Sequence, residues 1–264
     1  MICAGCDAER IGREITVLGT VLRITTACPC GYADAVDLRR REALMRSLAE
    51  RVRLLSSVPH RYADATFEGV AAPVRRKLEA ALGRLPDLRS QIDATGLADS
   101  LGRVVVRGRG LALFGGNGPG KTTAMAAFLG AARERLIVGV LIPATQLQGE
   151  IETGMRFGSP EPAAAVVRRY AGVPLLVIDD VDKIIADVST ARYLYELVDA
   201  RWREDRPLYL TSNARPERIA EVVFGQRFEG HADGVADRWA AMSEWVAYDG
   251  PSRRPAAARQ GATA

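Results

Sequence analysis

Residues 115–123 read Gly-Gly-Asn-Gly-Pro-Gly-Lys-Thr-Thr. Gly115, Gly120, Lys121 and Thr122 fall on the pattern G-x-x-x-x-G-K-[ST]. Glycines at this spacing let the backbone wrap with its N–H groups pointing inward at phosphate oxygens. A helix opening at Lys121 adds partial positive charge at the same point. Lys121 then reaches the β- and γ-phosphates, and the Thr122 hydroxyl ligates Mg²⁺. The pattern predicts binding of Mg·ATP by Gly115, Gly116, Asn117, Gly118, Pro119, Gly120, Lys121, Thr122 and Thr123. A glycine-rich turn that binds nothing is the alternative. The apolar run before the loop and the helical pattern after it argue against that alternative.

A second group of candidates ends an aliphatic run. Leu175-Leu176-Val177-Ile178 leads into Asp179-Asp180. Phosphoryl transfer needs an acid near Mg²⁺ at a strand end, and Asp179 suits that role. Asp180 would orient or deprotonate the attacking water. It is one methylene shorter than the glutamate many related ATPases use, which predicts slow hydrolysis. One strand and one helix later, Leu208 to Asn213 reads Leu-Tyr-Leu-Thr-Ser-Asn. Asn213 at that strand end could hold the water near the γ-phosphate.

The third group is four cysteines, all within the first 30 residues: Cys3, Cys6, Cys28 and Cys30. Four thiolates suit a closed tetrahedral zinc site, structural because no coordination position stays open. An iron–sulfur cluster or free thiols are the alternatives. Between the pairs, Glu14 to Thr26 is rich in Ile, Val, Leu and Thr around Gly19-Thr20, which predicts a short β-hairpin.

Several elements must position these groups. Leu38, Leu44, Met45, Leu48, Val52 and Leu55 recur at helical spacing over residues 34–57. Pro73 fits the first turn of a helix running to about Leu82, and an amphipathic stretch spans Asp87 to Leu101. Strands are expected at Leu111–Phe114, Ile137–Ile142, Leu175–Ile178, Leu208–Leu210 and Trp245–Tyr248. Helices are expected at Lys121–Arg135, Thr145–Arg156, Glu161–Tyr170, Thr190–Glu204, Pro216–Val223 and Gly234–Met242. Strands alternating with helices predict an α/β fold with a parallel sheet flanked by helices. The expected divisions are a cysteine module at 1–33, a helical linker at 34–57, an ATPase domain at 58–254 and a flexible tail at 255–264.

The bulk numbers agree with a globular protein. Hydrophobic residues make up 48% and charged residues 26% of 264. No run approaches the ~18 apolar residues that cross a bilayer, and no secretory leader is recognisable, so a cytoplasmic protein without membrane contact is expected. Net charge is +4, and Lys77, Lys121 and Lys183 are the only lysines among 36 basic residues. That balance permits contact with nucleic acid.

Taken together, these motifs resemble the helicase-loader branch of the AAA+ ATPases, the DnaC/DnaI family with its relative IstB. The resemblance covers about residues 58–254. It rests on Val58-Pro59-His60-Arg61-Tyr62 running into Ala65-Thr66-Phe67, and on Arg109-Gly110-Leu111 before the phosphate loop. It also rests on Leu176 to Asp180, Leu210-Thr211-Ser212-Asn213, Asp237-Arg238 and Gly250-Pro251-Ser252-Arg253-Arg254. It implies that Asn213 is the sensor at the end of its strand and that Arg238 is an arginine finger serving a neighbouring subunit. It places Arg254 where the family's terminal Ser-x-Arg has its last arginine. It implies that the segment carrying Arg156, Phe157, Arg168 and Arg169 forms paired helices that touch single-stranded DNA. It implies a zinc-ribbon-like module at the N-terminus, self-association through ATP-bound interfaces, and a replicative helicase as partner. The expected function is an ATPase that assembles on DNA to load that helicase. An IstB-like transposition helper and a zinc-ribbon adaptor that binds ATP with little hydrolysis are the competing readings.

Overall fold

Apolar runs bounded by glycine, proline and polar turns become buried parallel strands in this chain. Its computed structural model describes residues 6, 12–17, 20–25, 30, 32–87, 105–224 and 229–252. An antiparallel hairpin, β1 (Gly12–Val17) and β2 (Thr20–Thr25), comes first, with Val17 opposite Thr20 and Gly12 opposite Thr25. Helix α1 (Tyr32–Leu55) follows, then α2 (Ala72–Arg84) with a proline in its first turn. The alternating part runs β3 (Gly110–Phe114), α3 (Lys121–Glu134), β4 (Gly139–Pro143), α4 (Ala144–Gly154) and α5 (Ala163–Gly172). It continues with β5 (Leu175–Asp179), α6 (Val188–Arg203), β6 (Leu208–Ser212), α7 (Ile219–Phe224), α8 (Glu229–Met242) and β7 (Ser243–Ala247).

The five later strands form one parallel sheet in the order β4-β5-β6-β3-β7. Strand period decides where its side chains go. Leu176, Ile178, Leu208, Leu210, Val140 and Ile142 enter a core shared with α4, α5, α6 and α8. Their immediate neighbours Leu175, Val177, Tyr209 and Leu141 enter a second core with α2 and α3. Both faces are covered, which is why these strands read as unbroken apolar runs. The expected α/β architecture is the one observed. The segments expected within the described residues appear, with ends shifted by a few residues; α8 begins at Glu229, five residues before the glycine taken as its start. The stretch Asp87–Leu101 and the tail 255–264 lie almost entirely outside the described residues. Among the described residues no helix is long and apolar enough to cross a membrane.

The order places β3 between β6 and β7, although β4 and β5 separate β3 from β6 in the chain. In open sheets of this kind, ligands bind beyond the carboxyl ends of the strands where the order reverses. The ends of β3, β5 and β6 carry the phosphate loop, Asp179-Asp180 and Asn213.

A buried arginine ties the opposite end together. Arg201 on α6 is fully buried, and its guanidinium donates to the carbonyls of Tyr170, Ala171, Val173, Pro174 and Pro207. It therefore caps α5 and anchors the entries to β5 and β6. Burial, helped by the positive charge of Arg206, pulls its pKa down to about 9, so it stays charged at neutral pH. Arg201→Ala would orphan these carbonyls and is expected to cost about 3 kcal/mol or more. Arg201→Lys should recover only part of that, because a compact ammonium has three donors and cannot span the five carbonyls that the broad guanidinium reaches. Urea unfolding of the three proteins checks this; equal midpoints would show that water serves the carbonyls as well.

Candidate functional site

The phosphate loop leaves β3 at Phe114 and is shaped by glycines and by the far end of the chain. Gly115 and Gly118 have φ of 143° and 93°, values that favour glycine. A Cβ on Gly115 would lie 2.7 Å from the Tyr248 carbonyl and the Asp249 carboxylate, and one on Gly118 would collide with Ser252. The segment after β7 thus packs against the outside of the loop. Lys121 opens α3 and is 5% exposed. Its ammonium donates to the carbonyls of Gly115 and Gly116, both at 2.8 Å, and to Asn213 Oδ1 at 3.0 Å.

Thr122 and the end of β5 form the acidic wall. The Thr122 hydroxyl lies 2.8 and 3.1 Å from the two Asp179 oxygens. Thr211, on β6, donates its hydroxyl to Asp179 Oδ1 at 2.6 Å and accepts the Asp180 N–H at 2.8 Å. One hydroxyl therefore joins both acids. Burial is the main force raising the Asp179 pKa; the hydrogen bond from Thr211 opposes it and the charge of Asp180 adds to it. Asp180 has φ 53° and ψ 52°. A non-glycine residue in this left-handed region stores strain, a common mark of functional sites. The facing Thr122 hydroxyl and Asp179 carboxylate are hard oxygen donors, the kind that Mg²⁺ shares with phosphates.

Asn213 follows β6. Its backbone N–H and Nδ2 donate to the Asp182 carboxylate at 2.7 and 3.0 Å. Burial alone would raise the Asp182 pKa, but the bonds from Asn213 and the charge of Lys183 hold it lowered. Asp182 was not singled out in the sequence. Its signal was present as a third acid just after Asp179-Asp180.

The same cleft, about 240 Å³, is lined by Asn117, Gly118, Gly120, Lys121, Thr122, Thr123, Asp179, Asp180 and Asn213, and also by Arg61 and Tyr62. The last two, with the Arg61 guanidinium 5.2 Å from the Tyr62 ring centre, belong to a segment that carried the resemblance but were given no part in the site from the sequence. They sit on a short 3-10 turn at His60–Tyr62. A larger cavity of about 670 Å³ lies over β4 and beside α5. Its polar groups Gln146, Glu150, Arg169 and Tyr170 already bond one another, and none belongs to the phosphate cleft.

Other expected residues fall elsewhere. Arg238 on α8 donates to Asp199 at 2.9 Å, Tyr195 at 3.0 Å and the Gly234 carbonyl at 2.9 Å, all within its own chain. Arg169 pairs with Glu150 and Glu161, both at 2.9 Å, so it braces α5 against α4 and is not available to a phosphate. Phe157, between α4 and α5, is fully exposed next to exposed Arg156, and Arg168 is exposed on α5. Arg254, Cys3 and Cys28 lie outside the described residues. Cys6 and Cys30 are exposed, and among the described residues no three His, Cys, Asp or Glu side chains gather to hold a metal.

Comparisons by sequence with family profiles and with curated proteins return no match. Comparison of structures does. The chain is similar to the crystal structure of DnaI, with a TM-score of 0.59 and 16% identity over 74% of this chain and 96% of that one. It is similar to the DnaC helicase loader, with a TM-score of 0.52 and 16% identity over 72% and 99%. It is also similar to AMPPCP-bound DnaA from Aquifex aeolicus, with a TM-score of 0.51 and 16% identity. That match covers 70% of this chain and only 49% of the DnaA chain. These likenesses establish a shared fold, the parallel α/β sheet flanked by helices that the strand and helix pattern implied.

The buried, raised Asp179 carboxylate has a measurable consequence in metal-free, nucleotide-free buffer. A carboxyl whose folded pKa is raised destabilises the fold increasingly as pH rises from its unfolded pKa through its folded one. Asp179→Asn removes that cost and is expected to raise the melting temperature at pH 7 to 8 by a few degrees. The gain should shrink as pH falls and the wild-type carboxyl protonates. A variant that melts lower than wild type at neutral pH would contradict this account.

Proposed function

We propose that this chain is an ATP-binding and slowly hydrolysing AAA+ protein that assembles on DNA to load a replicative helicase. The observation that carries the nucleotide part is the convergence of Lys121, Thr122, Asp179, Asp180 and Asn213 from three adjacent strand ends on one cleft. Loop N–H groups and Lys121 would hold the phosphates, while Thr122 and Asp179 would ligate Mg²⁺. When bound, Mg²⁺ would neutralise charge developing on the transferred phosphoryl group. Asp180 would take up or orient the proton of the attacking water, and Asn213 would position that water. Arg61 and Tyr62 would meet the rest of the nucleotide at the rim, and Arg254 would be the further nucleotide contact that the family resemblance implies. Arg238 joins α8 to α6 through Asp199 and Tyr195 in its own chain, and as an arginine finger it would meet the γ-phosphate charge in the site of a neighbouring subunit.

The DNA part rests on the α4–α5 hairpin. Its tip presents Phe157, a bare aromatic face, beside Arg156. Such a pair suits single-stranded nucleic acid, whose bases stack on aromatics while arginine meets the backbone. The DnaC helicase loader shares this fold, and on that likeness the protein delivered to DNA is taken to be a ring helicase. Labelled single-stranded DNA, titrated with and without ATP, tests the reading. ATP should tighten binding by wild type, and Lys121→Ala should lose both nucleotide affinity and that effect. Phe157→Ala should weaken DNA binding by about 1–3 kcal/mol with ATP binding intact. Equal DNA affinity with and without ATP would count against a loader.

The four cysteines we assign to one structural zinc. The hairpin register brings Gly12 and Thr25 together, so the chain segments bearing the two cysteine pairs start from neighbouring points. Thiolate donors at this count suit zinc. Elemental analysis of protein purified under reducing conditions should find about one zinc per chain; iron, or no metal, would rule the assignment out.

A further inference from the structure

The amide of Asn213 could stand either way round, and its two neighbours leave one choice. Nδ2 lies 3.0 Å from Asp182 Oδ2, and Oδ1 lies 3.0 Å from Lys121 Nζ. A carboxylate only accepts hydrogen bonds and an ammonium only donates them. Turning the amide over would set oxygen against oxygen on one side and donors against a cation on the other. The backbone N–H of Asn213, 2.7 Å from Asp182 Oδ1, engages the other oxygen of the same carboxylate. The Asp182 side chain is 6% exposed, and its other charged neighbour is Lys183 at 3.4 Å, which is itself mostly in solvent. The backbone N–H of Asp182 also bonds to this carboxylate, and Asn213 still engages both of its oxygens, so the clamp on Asn213 is two-pronged and oriented.

We infer that Asp182 is a positioning residue for hydrolysis: it occupies the amide donor of Asn213 and turns the carbonyl oxygen toward Lys121 and the phosphate cleft. The inference rests on the hydrolytic reading above. Asn213 then serves as an acceptor, taking a hydrogen bond from the attacking water or from Lys121. It does not act as a donor to a phosphate oxygen. This explains why a third acid follows Asp179-Asp180 so closely: the first meets the metal, the second the water, and the third the residue that holds the water. Asp182 itself touches none of the reacting atoms.

Steady-state ATPase kinetics, ATP affinity and melting curves on Asp182→Ala and Asp182→Asn test it. Asp182→Ala is expected to lower kcat by about 10-fold or more while ATP affinity stays within about 3-fold. Asp182→Asn keeps one acceptor oxygen and should fall between that variant and wild type. The Asn213 side-chain amide signals, assigned by their loss in Asn213→Ala, give a readout independent of turnover. In wild type they should exchange slowly with solvent, and in Asp182→Ala quickly. An unchanged kcat in Asp182→Ala overturns the inference, as does unprotected Asn213 amide in wild type. Parallel losses of kcat, ATP affinity and melting temperature in both variants also overturn it, because the clamp would then be merely structural. A wild-type chain that binds ATP and never turns it over is recognised before any variant is compared, and it removes the hydrolytic reading itself.

Discussion

An ammonium taken out of water has to be met by acceptors, and the Lys121 ammonium is met by three. Two are carbonyls of the loop that precedes it, Gly115 and Gly116, and the third is Asn213 from two strands' distance in the chain. Burying a charge without such partners would be very costly. Each acceptor brings its own requirement. The carbonyls can turn inward because the loop takes backbone angles open to glycine, and because Tyr248 to Ser252 closes over its outer side. Asn213 can offer its oxygen because Asp182 holds its nitrogen. The strand order β5-β6-β3 follows from the same demand, since it brings these three pieces within reach of one cation.

The acidic side is built the other way, from groups the fold would rather not bury. Asp179 loses hydration that two threonine hydroxyls only partly replace. Asp180 sits in a backbone region unfavourable to a side chain. Both costs are met by the packing beneath them, where the five-stranded sheet is sealed on each face. Sites that carry stored cost of this kind are where stability and activity pull apart.

Much of this was legible in the residues and some was not. Period-two burial in β5 and the glycine spacing after β3 are local features, and local features survive in sequence. So the sheet, the loop, Asp179 and Asn213 could be read directly. The partners of Asp182, Arg61 and Tyr62 are set by which strand ends and turns come together in space, and no spacing in the chain records that. Arg169 shows the same limit from the other side. The resemblance placed it in a segment that touches single-stranded DNA, and no spacing in the chain showed that Glu150 and Glu161 pair with it in the fold. Arg201 was invisible for a related reason: its five acceptors are backbone carbonyls, which carry no identity.

The place of β3 in the sheet also bears on how the chain is made. Ribosomes release it from the N-terminus, so the strand bearing the phosphate loop emerges well before either of its neighbours. It pairs with β6 and β7, and β7 is the last strand among the described residues. The outer support of the loop, from Tyr248 to Ser252, arrives later still. Until β6 emerges β3 has an open edge on both sides, and until β7 emerges on one, and contacts this far apart in sequence form slowly. The hairpin β1–β2 and the helices α1 and α2 have no such wait. A nascent chain stalled before Tyr248 would carry every residue of the motif and still lack the surface that shapes it. The outer support of the loop is therefore made well after the loop itself.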